Sequence, residues 1–382
     1  MEASVAARSA ALAAFALACV PACAQSSVTL YGIVDTGVEF VSHADAAGDG
    51  VVRMPGITGE LPSRWGLRGS EALGGGWRAN FVLENGFNLR NGAANQGGRL
   101  FGRQAWVGVD GPYGSLSFGR QYTMTYWAVT DADLLGPDIY GGLASFDQYL
   151  PSSRSDNTIA YKGAFGGLTV GATWSFGRDA AGTGNSPGQG TCAGPVPGSA
   201  QTCREWSALL RYDAHGFGVA AAYDEQRGGT GAAANFYDGA APIPFTQPGD
   251  KDVRMQLNGY GTFGAWRFGG GWLGRRVRLV SAQTPNVGYD QFYLTASWRA
   301  APSVVFDGGA YRIVNRGHDA RGTIGVLRGT YLLSKRTAVY LQGAYLWNSA
   351  RAQYTVSQGG GGTTPAPGVG QLGVMAGIRH QF

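Results

Sequence analysis

Apolar and polar residues alternate with a period of two along most of this chain. In residues 371–382, Leu372, Val374 and Ile378 share one parity, while most of the intervening residues are polar or glycine. Such alternation predicts a β-strand with one apolar and one polar face. The same pattern recurs in residues 28–40, 63–69, 77–84, 168–176, 205–212, 253–263 and 291–299.

About sixteen alternating segments can be counted, and the spacers between them are short and long in turn. Spacers such as 110–114 and 213–216 are tight turns, whereas 121–153 and 177–202 are long and rich in polar residues and glycine. Outer-membrane barrels have short turns at one end and longer loops at the other, but a β-sandwich has no reason to sort its loops by length. The pattern therefore predicts an all-β chain that forms a 16-stranded antiparallel transmembrane β-barrel.

The two parities of each strand are expected to meet different surroundings. In residues 28–40, Val28 and Leu30 would face lipid, while Asp35 and Glu39 would face the interior. Hydrogen bonds between the first and last strands would close the barrel, so that no strand edge is left open to lipid. Sixteen strands enclose a water-filled lumen that wall side chains cannot fill.

Composition excludes two other classes of protein. Only 14% of the residues are charged, against roughly 25% in an average soluble domain. No segment after the N-terminal region has the long apolar run that a helical membrane protein requires. The net charge of +5 comes mainly from arginines that are dispersed among the strands, so we expect no nucleic-acid partner.

The N-terminal region has the features of a secretory signal. Residues 9–20 are almost wholly apolar, Arg8 precedes them, and a small-x-small site ends at Ala24. The apolar run is shorter than the roughly 20 residues of a transmembrane helix. We expect residues 1–24 to be a signal peptide and residues 25–382 to be the barrel.

Two alternatives for this N-terminal region remain open. The region could be a buried core helix, or a lipoprotein signal with Cys19 or Cys23 lipidated, although neither cysteine has a leucine three residues before it.

Removal of the signal peptide leaves two cysteines in the chain, Cys192 and Cys203. Two cysteines in an exported protein are expected to form a disulfide, which here would staple one surface loop.

No catalytic or metal-binding motif is present. The chain lacks the glycine-rich phosphate loop, the His-Glu-x-x-His pair and the Gly-x-Ser-x-Gly elbow. Its four histidines are scattered and offer no zinc-ligand spacing. We therefore expect a protein that is not an enzyme and that holds no metal and no cofactor. The histidines are His43, His215, His318 and His380.

Four stretches in this order resemble the general porins of Gram-negative bacteria, of the trimeric betaproteobacterial kind. They are SSVTLYGIVDTGV, SRWGLRGSEALGGGWRANFVLE, FGRQAWVGV with YGSLSFGRQY, and the last strand with its final Phe382. The resemblance implies a homotrimeric channel for small hydrophilic solutes and ions in the outer membrane. It also implies contact with outer-membrane lipid and lipopolysaccharide, and it makes Phe382 part of the signal that the barrel assembly machinery reads.

The resemblance also implies a constriction made by an inward-folded third loop, here residues 121–153. The loop contains no basic residue. Its PDIYGG segment is similar to the element that porins of this family carry at the loop tip. The acidic side of the constriction is expected to consist of Asp131, Asp133, Asp138 and Asp147.

The opposite wall would need positive charge. Strand parity turns Arg64, Arg68 and Arg154 inward, and the resemblance implies Arg64, Arg103 and Arg154 as the basic side of the constriction. We expect Arg68 and Arg120 to contribute to the same side. Arg103 and Arg120 share the parity of lipid-facing residues, where an arginine costs ~2–4 kcal/mol at the bilayer centre. We expect a β-bulge that re-aims them or a position near the headgroups.

Acidic groups on one side and arginines on the other would orient dipolar solutes and bias which ions enter. With a basic wall and a positive net charge, we expect a mild preference for anions. The alternative is a solute-specific channel for phosphate or organic acids on the same barrel. Saturable block of the current by one such anion would distinguish it from a general porin.

Overall fold

The computed structural model describes residues 27–147, 149, 152–180, 191–280 and 286–382. The expected signal peptide, residues 1–24, lies outside these residues. The strands are β1 (Ser27–Val41), β2 (Val51–Arg53), β3 (Arg64–Gly74), β4 (Trp77–Gly86), β5 (Gln104–Gly111), β6 (Gly114–Tyr122), β7 (Arg154–Phe165), β8 (Leu168–Ser175), β9 (Glu205–Ala214), β10 (Phe217–Arg227), β11 (Ala233–Ala234), β12 (Ile243–Pro244), β13 (Lys251–Phe263), β14 (Trp266–Arg278), β15 (Val287–Ala301), β16 (Val304–Asn315), β17 (Ala320–Leu332), β18 (Thr337–Asn348) and β19 (Gln371–Gln381).

Sixteen of these strands form one closed antiparallel barrel. The exceptions are β2, which adds a short hairpin to β1, and the small pair β11–β12 in a loop. Each barrel strand pairs with its neighbours in chain order, and β1 pairs with both β3 and β19. The predicted number of strands and their antiparallel order are confirmed.

The seam between the first and last strands is closed by the end of the chain. Ile33 pairs with Gln381 and Val41 pairs with Gly373, so the C-terminal half of β1 lies along β19. Beyond this ladder, Gly32 and Phe382 exchange two backbone hydrogen bonds of 3.1 Å. The Phe382 ring lies over Gly32, in space that a β-carbon would need.

The connections alternate in length as predicted, except that the outer connection 316–319 is as short as the turn 333–336. Seven short turns join the paired strands at one end of the barrel, and both described chain ends lie on that side. The third of the long connections contains two short helices, α1 (Met124–Val129) and α2 (Gly142–Ser145). None of the helices in the described ranges has the length and apolar character needed to cross a membrane.

The outer face of the barrel is apolar, which confirms the parity assignments. Leu294 and Leu327 lie near mid-strand with 73% and 74% of their surface exposed. Near the short turns, Trp266, Trp298 and Phe306 stack across three strands with ring centroids 5.3 and 5.9 Å apart. Amphipathic rings at this level match the aromatic girdle of a membrane barrel.

The inner face differs from the predicted uniformly polar surface. Inward-facing residues of β14–β18 include Leu273, Tyr289, Tyr311 and Ile324, all buried in one apolar cluster. Residues of the third, fifth and eighth long loops complete the cluster. This part of the inner wall therefore serves as a packing surface for loops.

Cys192 and Cys203 are joined by a disulfide. The pair lies in the fourth long loop and packs against Ala232 and Phe245 of the fifth. The Cys203 N–H donates to the Gly228 carbonyl (2.9 Å), so the staple also ties the two loops together.

Candidate pore constriction

The third long loop, residues 123–153, lies against the inner wall of the barrel. Met124 at the start of α1 packs on the inward-facing Leu209 of β9. The Leu134 N–H donates to the inward-facing Thr295 hydroxyl at 3.3 Å. These contacts lie on β9 and β15, four strands apart around the barrel, so the loop follows the inner wall well away from the strands that it connects.

Glycines on the inner wall make room for this loop. A β-carbon on Gly269 would overlap the carbonyl oxygen of Ala132, and one on Gly309 would lie 2.8 Å from Leu135 Cδ1. Both glycines have the inward parity of their strands. The loop can approach the wall this closely only because no side chain stands in its path.

Two of the predicted acidic residues are tied to arginines of the wall. Asp138 accepts a hydrogen bond from Arg328 (2.8 Å), whose guanidinium also contacts Asp307 (2.8 Å). Asp147 pairs with Arg275 at 3.0 Å. Both aspartates are almost wholly buried, so they anchor the loop rather than face the pore.

The other two predicted acidic residues differ from each other. Asp133 is buried and accepts a hydrogen bond from the Tyr311 hydroxyl (2.6 Å). Asp131 pairs with Arg211 (2.6 Å) and Arg267 (3.3 Å), and its side chain is 39% exposed. Of the four predicted acidic residues, Asp131 is therefore the one that reaches the aqueous lumen.

Burial also changes the protonation of the three anchoring carboxyls. It raises the pKa of Asp138 to about 7, and the pKa of Asp133 and of Asp147 to about 6. Wall arginines oppose the shift at Asp138 and Asp147, but they do not cancel it. The expected acidic side of the constriction is thus corrected: Asp133, Asp138 and Asp147 are buried against the wall on which the loop packs, where Arg328 and Arg275 pair with Asp138 and Asp147.

The predicted basic side forms one cluster. Arg103 Nε donates to Glu84 (2.7 Å), and Arg103 Nη2 donates to the Tyr122 hydroxyl (2.7 Å). Arg154 donates to the same hydroxyl at 3.0 Å, and Arg64 lies 3.7 Å from Glu84. Arg64 and Arg103 therefore share the Glu84 carboxylate, and the Tyr122 hydroxyl links Arg103 to Arg154.

The parity conflict at Arg103 is resolved by where its strand begins. β5 starts at Gln104, so Arg103 lies in the preceding loop and is not bound by the alternation of the strand. Its side chain is buried on the lumen side, beside Glu84.

Arg120 and Arg68 stand outside the constriction, contrary to their predicted role. The register of β6 against β7 shifts between Gly119 and Gln121, which is the expected bulge. Arg120 is nevertheless buried, its guanidinium binds Asp156 (2.6 Å), and it does not line the cavity between the loop and the wall. Arg68 lies closer to the short turns, with its guanidinium 5.3 Å from the Tyr31 ring.

Between the loop and the wall lies an open cavity of about 440 Å³. Five arginines and three carboxylates line it, and one of the arginines, Arg328, is also paired with Asp138 and Asp307 behind the cavity wall. The charged residues are Arg64, Arg103, Arg154, Arg328, Arg379, Glu60, Glu84 and Asp133.

Sequence reasoning missed several of these groups. Glu84, Arg328 and Arg379 have the inward parity of their strands, so the alternation contained a signal for them. Glu60 has no such signal, because it lies in the first long loop. It enters the site by pairing with Arg379 at 2.7 Å.

The carboxylates of the barrel offer little to a metal ion. Among the described residues, no group of three or more histidine, cysteine, aspartate and glutamate side chains is placed to hold one.

Comparison with known proteins agrees with this architecture. The profile of the family described as Gram-negative porin matches residues 9–351. An outer membrane porin protein of Bordetella pertussis is 32% identical over 393 residues, covering 94% of this chain and 95% of the relative. Outer membrane porin protein 32 of Delftia acidovorans is 31% identical, with the same coverage of both chains.

Solved structures show the same fold. The anion-selective porin from Comamonas acidovorans superposes with a TM-score of 0.73 at 24% identity, covering 94% of this chain and all of that one. OmpT of Vibrio cholerae gives a TM-score of 0.63 at 14% identity, covering 94% of this chain and 98% of that one.

Proposed function

The chain belongs to the Gram-negative porin family, and on that premise we propose which ions its channel favours and which residues select them. It is an outer-membrane protein that forms a water-filled channel for small hydrophilic solutes and ions. We propose that the channel prefers anions weakly and that Arg64, Arg103 and Arg154 form the basic side of its constriction.

The main support for the proposal is that these three arginines are only partly paired with carboxylates. Glu84 is the carboxylate that Arg64 and Arg103 share, and Arg154 makes no ion pair with any described residue. The Arg154 Nε is buried without an acceptor among those same residues. Surplus positive charge at a narrow point raises the local concentration of anions and repels cations. The Comamonas porin is described as anion-selective, which agrees with the proposal.

Reversal potentials across a planar bilayer with a potassium chloride gradient test this selectivity. We expect the wild-type channel to favour chloride, Arg154→Gln to reduce that preference and Arg64→Glu to shift it toward potassium. Arg351→Gln is the matched control, because Arg351 is an exposed loop residue whose side chain is 74% accessible. Clear cation selectivity of the wild type would contradict the proposal, and an unchanged potential in both constriction variants would remove these arginines from it.

We also infer that residues 1–24 are a signal peptide that is removed on export. The apolar run and the small-x-small site at Ala24 support this inference. Mass spectrometry of protein purified from outer membranes should then give a chain that begins at Gln25. A mature chain that retains the first residues would disprove it.

Family membership supports a homotrimer in contact with outer-membrane lipid and lipopolysaccharide. We expect unheated samples to migrate on a denaturing gel as a trimer and heated ones as a monomer. Conductance steps should occur in groups of three. A monomeric band before heating, together with single isolated steps, would argue against trimerisation.

We further propose that Phe382 is part of the signal read by the barrel assembly machinery. Its backbone closes the seam with Gly32, and its ring is 44% exposed on the outer face. Phe382→Ala should reduce the amount of folded protein in outer membranes, while Phe306→Ala, a change in another outward-facing aromatic residue, should reduce it less. Equal yields from the two variants would leave Phe382 with a purely structural role.

A further inference from the structure

A second cavity lies next to the constriction and has an apolar wall. It has a volume of about 750 Å³ and shares Gln104 and Tyr122 with the constriction cavity. Trp106 and Trp127 line it, together with Leu209. A lumen that only passes water and ions has no need of such a surface, and apolar patches beside water are typical of binding sites.

The position of Trp106 shows that this wall is part of the strand pattern. Trp106 has the inward parity of β5, since Val107 faces outward with 58% of its surface exposed. It pairs across the sheet with Gly119, which leaves the ring free of a large neighbour on that side. Its indole N–H donates to Gln104 Oε1 (3.0 Å), which holds the ring edge in place. The ring is therefore fixed and half-buried at the border of the cavity.

The same cavity holds a cation that makes no ion pair within the described ranges, although Asp110 also lines the cavity. Lys162 Nζ lies 3.3 Å from the centroid of the Trp127 ring, and no described carboxylate lies within ion-pair distance of it. The other cation of the cavity, Arg211, is neutralised by Asp131 and Asp213, both at 2.6 Å. Lys162 is thus the cation in this cavity that can form an ion pair with the carboxylate of a solute.

A run of aromatic rings connects this lysine to the constriction. The Arg154 guanidinium lies 4.5 Å from the Tyr122 ring, and Tyr122 stacks on Tyr126 with centroids 3.9 Å apart. Tyr126 then meets Trp127 edge-to-face at 5.1 Å, under Lys162. A cation thus lies at each end of a run of three rings, so a flat anion can keep contact with a ring while it moves from one cation to the other.

We propose that this channel binds carboxylates that carry a planar aromatic ring, at a site formed by Trp106, Trp127 and Lys162 beside the arginine cluster. The proposal rests on the proposed function, because the anion reaches the site through the basic constriction. The ring would lie on the indoles and the carboxylate would pair with the lysine ammonium. Chloride and acetate lack a ring, and a neutral aromatic solute lacks the charge, so each would satisfy only half of the site.

Block of the chloride current in planar bilayers tests the ligand class on the wild-type protein. The probes are benzoate, cyclohexanecarboxylate and acetate, which have the same charge but carry an aromatic ring, a saturated ring and a methyl group, respectively. We expect saturable block by benzoate at a concentration about three- to tenfold lower than for the other two, the size of one specific aromatic contact. Equal block by all three probes, or equal block by benzoate and cyclohexanecarboxylate, would overturn the proposal.

Variants then locate the site. Trp106→Leu and Lys162→Gln should each raise the half-blocking benzoate concentration about threefold or more. Trp106→Leu should leave acetate block unchanged, whereas Lys162→Gln should weaken it, because acetate carries the same carboxylate. Trp298→Leu is the matched control, because Trp298 faces lipid in the outer girdle, and its benzoate block should equal that of the wild type. If Trp106→Leu fails to fold, the Lys162 variant alone decides, since it changes charge without removing a ring. A Lys162→Gln channel with wild-type benzoate block would refute the assignment.

The two proposals fail in different ways. A wild-type channel that favours chloride but does not distinguish benzoate from acetate disproves only the aromatic site. A wild-type channel that favours potassium disproves the anion preference, whatever benzoate does.

Discussion

Replacing Gly269 with alanine should narrow the channel, because it removes the space in which the third loop rests. The added methyl would overlap the carbonyl oxygen of Ala132, whereas carbon and carbonyl oxygen normally touch at roughly 3.3–3.6 Å. The loop backbone must therefore move inward by about 1 Å or more. The same carbonyl accepts a hydrogen bond from Thr295 (3.1 Å), which the shift would break. Overpacking of this kind typically costs ~1–3 kcal/mol.

Single-channel conductance in potassium chloride measures the effect of Gly269→Ala. We expect a lower conductance and noisier open-channel current, because the loop both protrudes and loses a tether. Gly325→Ala is the matched control, since a β-carbon there has its nearest neighbour 3.7 Å away in the outward-facing Trp347 ring. Heat-modifiable gel migration establishes that both variants are folded. A folded Gly269→Ala channel with wild-type conductance would show that the loop does not depend on this contact.

Three further outcomes are expected from the loops. Arg328→Met should lower the free energy of unfolding by ~3–5 kcal/mol, because it leaves buried carboxylates unpaired, while Arg351→Met should change the denaturation midpoint little. Lowering the pH from about 8 to about 5 should increase the preference for anions. Burial raises the pKa of Asp138 to about 7, so its carboxylate is negatively charged at the higher pH and neutral at the lower one. A reversal potential that does not vary with pH would contradict this. Cys192→Ser together with Cys203→Ser should speed proteolysis of the fourth loop by removing a constraint worth ~3 kcal/mol, with single-channel conductance unchanged, and equal cleavage rates would disprove it.

The fold was predictable from the sequence because a membrane barrel imposes its pattern locally. Lipid on one side and water on the other force an alternation at every strand, and Leu294 and Leu327 show it as plainly in the sequence as in the structure. The inner wall was less predictable, because Tyr289 and Tyr311 have inward parity but meet a loop rather than water. Parity indicates which face of the strand a side chain lies on, but it does not indicate whether that side chain contacts water or a loop.

The sequence by itself determined the strands, their number, the sorting of turns from loops and the inward parity of Arg64 and Arg154, because each of these follows from period-two patterning over a few residues. Only the tertiary structure decided which charges remain available to the pore. Asp138 looked like a pore-facing acid until Arg328, 190 positions away in the chain, was found beside it. Pairing across the lumen depends on how a loop folds back onto a distant wall, and Coulomb attraction falls with distance in space, not in sequence.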